Sequence, residues 1–184
     1  MLELVARALL SGLTLGGVYA LIALGLSIIF GVMDIINLAH GQLVVLGGYI
    51  AYWAFRLALI DPLASLPLVA LAMAGVGLGI YMALIKKVRG EEALTTLILT
   101  YGLGVFLTDL MLLAWTADYR TIRVAWLERP VGLGIMKASL GEWVTLAISV
   151  SLMLGIYIFL TRTLVGKAIR AVSQDREAAA LMGI

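Results

Sequence analysis

The stretch ALLSGLTLGGVYALIALGLSIIFGVM, residues Ala8–Met33, decides the fold. It carries no charge, and it exceeds the apolar core of a cleaved signal peptide, about 7–15 residues. Crossing about 30 Å of hydrocarbon takes roughly 20 helical residues at about 1.5 Å each. The run therefore reads as a retained spanning helix. In lipid a helix satisfies its own backbone N–H and C=O groups, which an open strand cannot do.

Four further apolar blocks follow, divided by charges: Ile35–Phe55, Pro62–Ile85, Ala93–Ala117 and Trp143–Thr161. Each approaches or exceeds spanning length. The expected fold is all-α, a polytopic transmembrane helical bundle of about five spanning helices within one membrane domain, residues 1–184. Composition agrees. The chain is 63% hydrophobic and 13% charged, with a mean hydropathy of +1.10. That leaves too little polar surface for a water-soluble globule. The net charge of +2 is small and dispersed, so nucleic acid is not an expected partner. The absence of cysteine rules out disulfides and thiolate metal sites, and the single histidine, His40, argues against a histidine metal centre.

The longest connection, Asp118–Glu142, holds seven charges and Pro130. It is expected to be an external loop with a short interfacial helix. Five spans place the chain ends on opposite sides of the membrane. Lys86, Lys87, Arg89, Arg162, Lys167, Arg170 and Arg176 fall on the side of the C-terminus, and Arg7, Arg56, Arg120, Arg123, Arg129 and Lys137 on the other. Seven against six does not orient the protein by the positive-inside rule. The dense Lys86–Glu92 loop and the polar tail favour a cytoplasmic C-terminus.

Rows of small residues at four-residue spacing mark contact stripes where two helix backbones approach. The first helix carries Gly12, Gly16 and Ala20, with Ala23, Ser27 and Gly31 as a second row; the third carries Gly75, Gly79 and Ala83, and the second Gly47, Gly48 and Ala51. Ordinary bundle packing explains them. The block Asn37-Leu-Ala-His40-Gly-Gln42 is less ordinary, because buried amides and imidazoles need partners. Two placements fit. Asn37, His40 and Gln42 line a translocation path at an interrupted helix, or Asn37 and His40 cap the second helix at the interface. Asp109 reads as an acid near the outer surface. Thr95, Thr96 and Thr100 are explained by hydroxyls bonding back to their own helix.

The polar end, residues 163–184, reads as two short helical pieces leaving the membrane. In the first, Lys167, Arg170 and Gln174 share a face suited to lipid phosphates or a partner. In the second, Asp175 caps the start, Glu177 complements the positive helix end, and Gly183 suits a left-handed stop. Ala178, Leu181 and Met182 form a small apolar face. Two turns of helix are marginal alone in water, so the segment is expected to dock.

Glu177-Ala178-Ala179, followed after three residues by Gly183, resembles the EAA-x-x-x-G signature of ABC importer permeases. Gly166-x-x-x-Arg170-Ala171 and the final Leu-Met-Gly-Ile are similar to the LivH-type branched-chain amino acid permeases. So are Gly12-Leu-Thr-Leu-Gly-Gly-Val-Tyr-Ala, Phe30-Gly-Val-Met and Asn37-Leu-Ala-His-Gly41. The resemblance implies that residues 163–184 form a cytoplasmic coupling segment. In it Arg170, Glu177, Ala178, Ala179 and Gly183 would engage the ATP-hydrolysing subunit. It also implies a second permease subunit, an extracytoplasmic substrate-binding protein and a prokaryotic cell (inner) membrane. ATP and Mg would sit on the partner ATPase subunits, with no cofactor in this chain. Permeases of that type continue through further spanning helices, whereas this chain stops at Ile184. It resembles the front portion of such a permease, apparently truncated.

The expected function is thus a permease subunit for branched-chain or related amino acids, not an enzyme. The chain has no G-x-x-x-x-G-K-[ST] loop for ATP. An ion-gradient-driven secondary transporter or channel is the alternative, but only Asp109 offers it an intramembrane acid. A membrane enzyme lacks an evident nucleophile or metal cluster, and a scaffold subunit is left open by packing stripes alone. No residue distinguishes one amino acid substrate from another.

Overall fold

A computed structural model describes residues 1–88, 90, 92–133 and 136–183. Arg89, one of the basic residues used to orient the protein, and the terminal Ile184 lie outside the described residues. The chain divides into two compact units: Met1–Asp34 with Arg123–Ile184, and Ile35–Ile122.

In the first unit, α1 runs Leu2–Met33. Its 32 residues measure ~48 Å along the axis, more than the hydrocarbon core is thick, so its ends extend into the headgroup layer. It stops where Asp34 turns left-handed (φ 56°) and its N–H donates to the Phe30 carbonyl at 2.8 Å. The loop after Ile122 holds an antiparallel hairpin, β1 (Pro130–Leu133) and β2 (Met136–Ser139), paired Val131 to Ala138 and Pro130 to Ser139. This corrects the interfacial helix expected there. Pro130 lacks an N–H, Gly132 is a poor helix former, and Val131 favours extended chain.

The hairpin feeds directly into α6, Leu140–Arg162, through a reciprocal cap. The Ser139 hydroxyl accepts from the Glu142 N–H, while the Glu142 carboxylate accepts from the Ser139 N–H at 3.0 Å. Glu142 also accepts from the Ser11 hydroxyl of α1 at 3.0 Å. About two turns beyond, Gly17 faces Ser149; a Cβ on Gly17 would stand 3.1 Å from the serine Cβ. The α1–α6 seam therefore runs through Ser11, Gly17 and Ser149. Two helices complete the unit, α7 (Leu164–Gln174) and α8 (Arg176–Leu181).

In the second unit, residues 35–39 are not helical and α2 begins at His40, running to Ala58. Asp61 caps α3 (Pro62–Ile80) by accepting from the Leu63 N–H at 2.9 Å. The helix then passes through a π turn, Tyr81–Ile85, into α4, Lys86–Val88. The last helix, α5, spans Ala93–Trp115. Its buried stripe is Thr96, Thr100, Gly104, Leu107 and Met111. Leu107 and Met111 meet Ala39, with Leu43, Leu46 and Tyr49 of α2 around them. Gly47 of α2 faces Val69 and Met73 of α3.

Among the described residues, four helices are long and apolar enough to cross a membrane: Leu2–Met33, Leu66–Val88, Ala93–Trp115 and Leu140–Arg162. The expected fifth, α2, starts later than residue 35. Its 19 residues are diluted by His40, Gln42, Arg56 and several polar-edged aromatics. Leu71, Leu113 and Tyr157 are among many large apolar side chains left exposed. In water such a surface would drive aggregation; against lipid it is the appropriate exterior.

The expected packing stripes on α1 and α3 make no close approach among the described residues. Gly12, Gly16 and Ala20 are exposed, as are Gly75 and Gly79. A Cβ on any of these four glycines would meet nothing within 4 Å. On α1 the close approach belongs to Gly17, one residue over and about 100° around the helix.

Candidate functional site

The polar end is built as a bracket on α1 and α6. Thr163 leaves the helical conformation (φ −91°, ψ 154°) and ends α6. Its hydroxyl donates to the Phe159 carbonyl at 2.7 Å and accepts from the Gly166 N–H at 2.9 Å, so one side chain closes α6 and opens α7. Gly166 then lies directly on the end of α6. A Cβ there would collide with the Phe159 carbonyl and the Leu160 backbone, so only glycine permits the chain to fold back so tightly.

Along α7, Arg170 donates from Nε to the Leu160 carbonyl at 3.0 Å. This occupies part of the guanidinium that the sequence assigned to a shared face with Lys167 and Gln174. Ser173 sits over Gly31 of α1, where an added Cβ would come to 3.4 Å from the serine Cβ. Next, Arg176 donates from Nη2 to the Val32 carbonyl. That oxygen belongs to the last turn of α1, where carbonyls lack helical partners and the dipole favours a cation. Two arginines thus tie the tail to the ends of two spanning helices.

Within α8, Asp175 accepts from the Ala178 N–H at 2.9 Å and caps the start. Glu177 lies exposed in the first turn, where its charge complements the dipole. Ala179 is the buried alanine, 5% exposed, while Ala178 faces out. Leu181 and Met182 are 89% and 81% exposed. Gly183 takes the left-handed conformation (φ 81°) that ends the helix. The result is a short, capped helix held from behind, with a bare apolar tip and an acidic rim.

The second group of candidate residues lies in the other unit, at the break before α2. Asn37 accepts at Oδ1 from the Ala39 N–H (3.1 Å), and its carbonyl accepts from the His40 N–H (3.2 Å). The amide therefore shapes the turn that starts α2. His40 and Gln42 are half-buried on the first turn. What holds this segment is a pair of residues the sequence did not single out as partners for it. Thr100, fully buried, donates to the Ile36 carbonyl at 2.9 Å as well as to Leu97 of its own helix. Gly104 packs against the segment, where an added Cβ would lie in ordinary contact, 3.5 Å from Ala39 Cα. The signal was present: Thr96, Thr100 and Gly104 form a row of three small residues at four-residue spacing.

Residues 8–184 match the family described as branched-chain amino acid transport system / permease component. The chain is 31% identical over 190 residues to the high-affinity branched-chain amino acid transport system permease protein BraD of Pseudomonas aeruginosa, covering 97% of this chain and 62% of that protein. It is 28% identical over 197 residues to the LivH permease protein of Salmonella typhimurium, with the same two coverages. The probable branched-chain amino acid transport permease protein LivH of Methanocaldococcus jannaschii is 28% identical over 176 residues, 89% of this chain and 53% of the relative. The chain spans less than two thirds of the length of these relatives. No solved structure matches it. With its apolar helices and a match over nearly its whole length, the chain is a multi-pass membrane protein that belongs to the branched-chain amino acid transport permease family.

Proposed function

We propose that this chain acts in the transmembrane permease subunit of an ABC importer for branched-chain or related amino acids. In this role ATP hydrolysis on separate subunits drives substrate across the bundle. The observation that carries the proposal is the bracketed helix α8. Its exposed tip, Leu181 and Met182, offers apolar area to a groove, and Glu177 offers a charge to its rim. Behind the tip, Arg176 holds the Val32 carbonyl and Arg170 the Leu160 carbonyl. A partner that moves α8 therefore pulls on the ends of α1 and α6 rather than on a loose tail.

The partners on this reading are the ATPase subunits carrying ATP and Mg, a second permease subunit and an extracytoplasmic binding protein. Residues 163–184 lie in the cytoplasm. The row Gly12, Gly16 and Ala20 is exposed among the described residues and suits contact with another membrane helix. Asn37, His40 and Gln42 lie beside the interruption before α2, where a path between helices would bring polar groups to the substrate.

Retention of the ATPase subunit tests the coupling role. Glu177→Lys and Gly183→Leu should each abolish co-purification of the cognate ATPase while the chain still inserts in the membrane. Undiminished co-purification by both variants would falsify it.

A further inference from the structure

The last turns of α1, the end of α6 and one side of α7 border a crevice of about 230 Å³. Leu24, Ile28, Val32, Leu160 and Ile169 give it apolar walls, and Arg170 is the one charged residue of its lining among those described. Small side chains keep it open. Ser27 lines it from α1 and is exposed, and the Ser173 hydroxyl donates to the Arg170 carbonyl of its own helix at 2.9 Å. From Leu24 to Val32 the α1 wall extends ~12 Å along the helix axis. The volume falls below the ~300–1,000 Å³ of sites that enclose a whole small molecule, and it suits a length of chain.

The walls fix its depth. α1 ends at Met33 and α6 at Arg162, and both are long and apolar enough to cross a membrane. The mouth of the crevice, at Val32 and Arg170, therefore lies at headgroup level, and its far end, at Leu24, among acyl chains. Beside it, α7 has the character of an interfacial helix. Leu164 and Val165 are 84% and 60% exposed, next to the exposed cations Arg162, Lys167 and Arg170. No acid occurs from residue 162 to residue 174, and the next one, Asp175, caps α8 through the Ala178 N–H. Arg170 is held at the crevice by the bond from Nε to the Leu160 carbonyl. That bond uses one of the five guanidinium N–H groups, and the four on Nη1 and Nη2 are left for an oxygen ligand.

We propose that this crevice binds an anionic phospholipid. One acyl chain lies along Leu24, Ile28 and Ile169, the phosphate meets Arg170, and Lys167 and Arg162 attract the net negative charge of the headgroup. A zwitterionic lipid offers the same phosphate but brings an ammonium to a face of three cations. Free phosphate offers the charge and leaves the apolar walls unfilled. Neither the walls nor the cations refer to transport, so the inference stands apart from the importer reading.

The test uses the full chain in detergent, with bound lipid counted by native mass spectrometry. Phosphatidylglycerol should be retained about tenfold more tightly than phosphatidylcholine of the same chains. Glycerol 3-phosphate, the head without the chains, should not displace it. Lys167→Gln removes one cation and should weaken retention about fivefold. Ser27→Phe fills the crevice from α1 without removing a charge and should weaken retention about tenfold, whereas Ser27→Ala should leave it unchanged. A further arm needs no variant to fold. In nanodiscs, phosphatidylglycerol carrying a diazirine in its acyl chain should label residues 24–32 of the wild-type chain more than the matching phosphatidylcholine probe does. Equal retention of the two lipids, retention undiminished by Ser27→Phe, displacement by glycerol 3-phosphate, or equal labelling by the two probes each overturns the site. So does loss of the label when an ATPase subunit or a second copy of this chain is bound, which would give the crevice to a protein partner.

Discussion

Arg176 of the short helix α8 donates to the carbonyl of Val32, 144 residues earlier in the chain, at the last turn of α1. A surface arginine far along the sequence thus fastens the polar tail to the end of the first spanning helix. Removing it by Arg176→Ala should release the α8 end of the bracket while leaving the helices inserted. Charge-assisted hydrogen bonds are worth about 1.5–3 kcal/mol, less at an exposed position. Amide hydrogen exchange over residues 176–181 should rise about fivefold, with α1 and α6 unchanged; unchanged exchange at α8 would show that the contact does not hold it.

Gly166 makes a sharper demand. Any side chain there meets the Phe159 carbonyl and the Leu160 backbone, neither of which can swing aside. Gly166→Val should push α7 off the end of α6, costing at least about 1–3 kcal/mol as overpacking does. Protease cleavage at Lys167 or Arg170 in detergent-solubilised protein should become fast, whereas Ala168→Gly should leave it slow.

Thr100 anchors the break before α2. Thr100→Val keeps the shape but removes the hydroxyl that donates to the Ile36 carbonyl, a hydrogen bond worth about 0.5–1.5 kcal/mol. Thr100→Ser keeps the donor. The melting temperature in detergent should drop by several degrees for the valine variant and by clearly less for the serine variant.

The proposed cytoplasmic placement of the tail fixes what topology reporters should read. Reporters fused after Lys87 and after Arg123 should read as cytoplasmic and external respectively, because α5 separates the two positions. The opposite pattern would place α8 outside the cell, where no ATPase could reach it.

Much of this was legible because lipid imposes one strong rule. A charge-free run of spanning length has to be helical, so α1, α3, α5 and α6 stand out from Ala8–Met33 and its counterparts. The cap at Asp175 and the stop at Gly183 were legible too, since each rests on a residue type suited to one backbone conformation. Packing faces were not. α1 carries glycine at 12, 16 and 17, and spacing alone does not say which face meets α6. Ser149 selects Gly17, and that choice depends on a helix more than a hundred residues away. Thr100 was hidden for a related reason. A hydroxyl that bonds back to its own helix looks satisfied, and its second acceptor, Ile36, belongs to an irregular segment. The walls of the crevice beside Arg170 are scattered over α1, α6 and α7, so only the fold brings them together.

Cross-linking from the tip of α8 addresses the central claim. The chain has no native cysteine, so Leu181→Cys gives a single reactive thiol. In the assembled particle it should cross-link to the ATPase subunit and be shielded from a membrane-impermeant maleimide; stripped of that subunit, inside-out vesicles should label readily. Labelling of intact cells from outside, or the absence of any ATPase adduct in an assembled particle, would contradict the account.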